Sequence, residues 1–62
     1  MKLEDLTKVI DECSRLEVYD ARGNLIHNDI PAKVKLEDRL KKVLSIVPQG
    51  TSRENFLEIT VY

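Results

Sequence analysis

Leu3, Leu6, Val9, Ile10 and Cys13 recur at three- and four-residue spacings, with Lys8, Asp11, Glu12 and Arg15 on the other side. That period predicts an amphipathic helix over residues 2–14, with Glu4 and Asp5 where the helix dipole favours negative charge. From Leu16 the period drops to two. Leu16-Glu17-Val18-Tyr19 and Leu25–Ile30 read as the arms of a β-hairpin around Asp20-Ala21-Arg22-Gly23-Asn24. Asp opens a type I turn and Gly fills the left-handed position, as in a three-residue loop with a G1 bulge. Continued without interruption, the ladder places Tyr19 opposite Leu25, Val18 opposite Ile26, Glu17 opposite His27 and Leu16 opposite Asn28.

Pro31 ends the return strand, because it has no N–H to donate. Residues 35–47 carry two patterns at once. Leu36, Leu40, Val43, Leu44 and Val47 fit one helical stripe, while Val43-Leu44-Ser45-Ile46-Val47 is β-rich and bounded by Pro48 and Gly50. We read a short helix over 35–41 and a strand over 42–47, with a single helix over 35–47 as the alternative. Residues 48–54 form a polar loop, and 55–62 a closing strand with Leu57, Ile59 and Val61 on one side and Phe56, Glu58, Thr60 and Tyr62 on the other.

The expected fold is therefore α+β, in the order αββαββ (αββαβ under the alternative). It is one antiparallel sheet with helices on one face. Leu16, Val18, Ile26, Leu57, Ile59 and Val61 point at the helices. All three aromatic residues, Tyr19, Phe56 and Tyr62, then fall on the opposite face, with Leu25 joining them across the hairpin. Such rings contribute large areas to interfaces, and Tyr keeps a polar end. Aromatic side chains also pair across strands on a solvated face without any partner. The expectation is a partner-binding surface made of Tyr19, Leu25, Phe56 and Tyr62, with a second copy of the chain as its first candidate partner.

Length sharpens this picture. A 62-residue chain makes one domain, 1–62, and buries only about 60% of the surface its unfolded form exposes. Small folds are commonly stabilised by disulfides, metals or association. Cys13 is the sole cysteine and His27 the sole histidine, so an internal disulfide is impossible and a four-ligand zinc site is not expected. Ten basic and eleven acidic residues nearly cancel, which argues against a general nucleic-acid binder. No apolar run reaches the ~20 residues of a membrane span, the first residues do not read as a signal peptide, and a lone thiol suits a reducing compartment. A cytoplasmic address is the expectation.

Candidate chemistry is thin. His27 beside Glu17 would form a base with an orienting carboxylate. Ser14, Ser45 and Ser52 stand in no nucleophile-elbow pattern. Cys13 on an apolar stripe reads as a small hydrophobe. Lys33, Lys35, Arg39, Lys41 and Lys42 are the densest basic patch, interrupted by Glu37 and Asp38. With Arg53 from the 49–53 loop, Lys33, Lys35 and Arg39 are candidates for binding an anionic small molecule such as a nucleotide. No zinc, dinucleotide or calcium motif is present, and no cofactor is expected.

The run Leu16–Ile26, a strand ending in Tyr-Asp followed by a Gly-Asn turn, resembles the centre of small α+β accessory proteins encoded by phages and prophages of Gram-positive bacteria. Val43-Leu44-Ser45-Ile46 and Leu57-Glu58-Ile59-Thr60-Val61 extend the likeness, which breaks at residues 28–42. The resemblance implies a non-enzymatic protein that binds and inhibits a host or defence protein in the host cytoplasm, or an oligomer that sequesters a nucleotide signal. It carries no active-site residues.

Overall fold

The structure, a computed structural model, describes residues 1–10, 14–50 and 52–62. Two short helices and four strands succeed one another as α1 (Leu3–Thr7), β1 (Leu16–Tyr19), β2 (Leu25–Asp29), α2 (Leu36–Arg39), β3 (Val43–Gly50) and β4 (Asn55–Val61), with a 3-10 turn at Pro31–Lys33 before α2. The strands form a single sheet in the order β2-β1-β4-β3. The α+β class and the element order follow the sequence reading, and β3 excludes the single helix over 35–47.

The sheet is mixed where an antiparallel one was expected, because β1 and β4 run parallel side by side. The cause is the connector Ile30–Lys42, which carries the helical turns across the sheet from one edge strand to the other. Two strands running the same way need such a crossover, which a tight turn cannot supply.

Leu3 and Leu6 of α1 close over Leu16, Val18, Ile59 and Val61, and Val34 of the connector joins them. Ile26, Val43 and Leu57 pack at the margin of this core. The expected inward set of the strands is thus the observed one. The first helix is shorter than the 2–14 predicted. It is capped at its start by Asp5, which accepts the Lys2 backbone N–H at 3.1 Å, and ends at Thr7, whose hydroxyl bonds back to the Glu4 carbonyl at 2.8 Å. Val9 is left exposed, and Cys13 with Asp11 and Glu12 lies outside the described residues. In α2 it is Asp38 that turns inward, paired with Lys41 at 2.9 Å, while Leu36 and Leu40 stay 79% and 59% exposed.

Asp20 organises the hairpin turn. Its carboxylate accepts the backbone N–H groups of Arg22 and Asn24, both at 2.9 Å, and Gly23 takes the left-handed φ of 88° that the turn requires. Tyr19 pairs with Leu25 as expected. Beyond it the register slips: Val18 faces His27, Glu17 faces Asn28 and Leu16 faces Asp29. Ile26 is the extra residue of a β-bulge, a device that lets two residues of one strand oppose one of the other.

The free edge of β3 is blunted at both ends. Leu3 donates to the Lys41 carbonyl and Val43 to the Met1 carbonyl, so the first residues of the chain lie against its start. Lys42 and Tyr62 exchange both backbone bonds, and alternation along the ladder then turns the backbone nitrogens of Ile46 and Pro48 away from β4, toward the free edge. Pro48 has no N–H to offer there. Proline is tolerated inside β3 for that reason, and the strand runs past the 42–47 expected.

Candidate functional site

With α1, the 3-10 turn and α2 all on one side, no described element covers the other face of the sheet. Pairing fixes what it presents: Glu17 and Tyr19 from β1, Leu25 and Asn28 from β2, Ser45, Val47 and Gln49 from β3, and Phe56, Glu58 and Thr60 from β4. Tyr62 and Lys42 continue the same phase beyond the strand ends. Tyr19, Leu25, Phe56 and Tyr62 thus share one face, as the sequence predicts. They are unequal members of it. Tyr62 is 78% and Leu25 49% exposed, with Val47 at 43%, whereas Tyr19 and Phe56 are half-buried.

Arg15 ties one end of this face together, and the sequence reading placed it only on the wet side of the first helix. Its guanidinium lies over the Phe56 ring, 4.2 Å from the centroid. It donates to Glu17 and Glu54 at 2.6 Å each and to Asn28 at 2.8 Å. Partial desolvation opposes its charge, but the hydrogen bonds to Glu54 and Glu17 outweigh that and hold its pKa above the ordinary value. An unbroken two-residue alternation from Leu16 stops one position short of Arg15, so only the fold reveals that it reaches across β1, β2 and the β3–β4 turn. Glu17 also accepts the Tyr19 hydroxyl at 2.9 Å. That bond, helped by partial burial and the negative charges of Glu17 and Glu58, raises the Tyr19 pKa.

The acid–base pair His27–Glu17 is not assembled. The bulge turns His27 beside Val18 on the core side, where Nε2 lies 3.1 Å from the carbonyl oxygens of both Asp29 and Ile30 and so carries the proton. The anion-binding candidates are also placed apart. Lys33, Lys35 and Arg39 belong to the connector before β3 and Arg53 to the turn after it, with the length of β3 between. Arg39 donates to the Val34 and Ala32 carbonyls at 3.0 Å, and Lys33 stands 3.6 Å from Asp29. A hollow of about 320 Å³ at the end of the sheet is bounded by Ile10, Ser14, Pro48, Phe56 and Leu57, and among the described residues no titratable side chain lines it. Among the described residues no group of three or more His, Cys, Asp or Glu could hold a metal ion, and no helix is long and apolar enough to cross a membrane.

Comparison with models of known families, with curated proteins and with solved structures returns no match.

Proposed function

We propose that this chain is a non-enzymatic binding protein and that the uncovered face of its sheet is the contact surface. The observation that carries the reading is the combination on one face of exposed Tyr62, Leu25 and Val47 with two half-buried rings, Phe56 being held in place by Arg15. A preset ring loses less side-chain freedom on binding than a mobile one. The free edge of β3 is the weaker docking surface, being occupied at one end and lacking a donor at Pro48. Leu36 and Leu40 are exposed as well, but they are two side chains on a single helical turn.

The wider role attached to this reading is that of a phage or prophage accessory protein that binds and blocks a host or defence protein. Its support is the resemblance of residues 16–26 to such proteins.

Sedimentation equilibrium of the wild type against Tyr62→Ser and Val47→Glu tests the surface. Both side chains are exposed and outside the core, so the variants should keep the wild-type circular dichroism and melting curve. Weaker association in both variants supports the reading. Association unchanged by either would refute the face as the place where it occurs.

A further inference from the structure

The layer on the core side of the sheet holds a second hollow, opposite the contact face. It measures about 290 Å³ and forms where the end of α1, the 3-10 turn and α2 meet, with Thr7, Lys8, Pro31, Ala32 and Arg39 in its wall. Of Lys33, Lys35, Arg39 and Arg53, the sequence's candidates for an anion, only Arg39 lines it, and the second cation there is Lys8. Arg39 is half-buried and held in place. Its Nε donates to the Val34 carbonyl and its Nη2 to the Ala32 carbonyl, both at 3.0 Å. Those bonds use the Nε side of the guanidinium and leave Nη1 without a partner. Among the described residues no salt bridge uses Lys8 or Arg39. Of the described acids near them in the chain, Asp5 accepts the Lys2 backbone N–H, Asp38 pairs with Lys41, and Glu4 and Glu37 form no ion pair. The Thr7 hydroxyl is spent on the Glu4 carbonyl, so the side-chain donors left in the wall are the two cations. A concavity with one sign of charge and low-dielectric walls, here Pro31 and Ala32, concentrates the opposite ion.

We propose that this hollow binds a phosphate group, free or as a small phosphomonoester. Its two cations match a ligand that carries nearly two negative charges at neutral pH, where a carboxylate brings only one. A guanidinium donates N–H groups in a plane suited to phosphate oxygens, and an ammonium adds a point charge. The volume lies just under the ~300 Å³ at which cavities for larger ligands begin, which limits the occupant to a head group and a short ester.

The test is an amide chemical-shift titration of the intact chain with sodium phosphate, sodium glycerol 3-phosphate and, at matched ionic strength, sodium chloride. Both phosphates are expected to give saturable shifts at Thr7, Lys8, Ala32 and Arg39 that chloride does not give. Lys8→Gln and Arg39→Lys should each weaken phosphate binding about tenfold, the second because it keeps the charge and loses the planar donors. Lys35→Gln removes an exposed cation outside the wall and should leave binding unchanged. The Lys8 side chain is exposed and makes no ion pair among the described residues, so Lys8→Gln stays folded and decides the outcome even if Arg39→Lys does not fold. Equal affinity for the two phosphates shows recognition of the phosphate alone, and tighter binding of the ester shows that the wall also holds its glycerol. Shifts that chloride reproduces, or binding weakened as much by Lys35→Gln as by Lys8→Gln, would reduce the hollow to a diffuse basic surface and overturn the proposal. Absence of a saturable shift with either phosphate overturns it outright. In each case the reading of the sheet face stands, because the hollow lies on the other side of the sheet.

Discussion

Glu17 and Glu58 stand side by side across the parallel β1–β4 ladder, two carboxylates on the same face of adjacent strands. Arg15 reaches Glu17 and leaves Glu58 to Gln49. Like charges directly paired on a sheet are destabilising. A position that weakens the isolated chain while facing outward from the sheet is the kind that contact with a cationic group makes favourable. Replacing Glu58 by Gln is expected to stabilise the monomer by roughly 0.2–1 kcal/mol. Urea unfolding at a concentration too low for association measures this, and a loss of stability would show that Glu58 serves the fold.

The core leaves little margin. At about 0.05–0.15 kcal/mol per residue, a chain of this length has roughly 3–9 kcal/mol in total. Ile59 is fully buried at the centre of the sheet, between β1 and β3. Ile59→Val should cost about 1 kcal/mol and Ile59→Ala about 2–5, enough to leave a large unfolded fraction. Chemical denaturation of the two variants checks the ranking.

Tyr19 reports on the face through its ionisation. Its hydroxyl donates to Glu17, which raises the phenol pKa. A group raised in the folded state contributes stability that is complete below its unfolded value and is lost as pH climbs through the folded one. The contribution of this bond is therefore intact at neutral pH and disappears in alkali. Ultraviolet titration should show the Tyr19 step moving to lower pH in Glu17→Gln. An unmoved step would mean that the bond does not form in solution.

At the hairpin turn the sign is reversed. The backbone N–H of Asn24, and then that of Arg22, hold the Asp20 carboxyl below its ordinary pKa, and Ile30 does the same for Asp29. Their contribution is present above the unfolded carboxylate value and is lost as pH falls through the depressed one. Asp20→Asn should flatten part of the acid limb of a stability–pH curve. Gly23→Ala, forced into a left-handed φ, should cost about 1–2 kcal/mol at any pH.

Strand phase was readable from residue order alone, because Leu16/Val18 and Leu57/Ile59/Val61 alternate cleanly; Leu16, Val18, Ile59 and Val61 are buried and Leu57 packs at the core's margin. That placed three aromatic residues and Leu25 on the outward face. Three features were not readable. The Ile26 bulge follows two adjacent inward-turned residues that a period of two cannot describe, and it displaced His27 from Glu17. The parallel β1–β4 pairing depends on where the connector carries β3, a long-range choice that local pattern does not encode. Arg15 acts through side-chain reach onto residues distant in sequence, so no spacing rule could single it out.

The central claim is that the uncovered sheet face, and no other part of the surface, makes contact. Amide chemical shifts followed over a concentration series read it residue by residue. The account predicts concentration-dependent shifts at Val47, Glu58, Thr60 and Tyr62, with Leu36 and Leu40 unmoved. Shifts confined to Leu36, Leu40 and the rest of the helical side would contradict it.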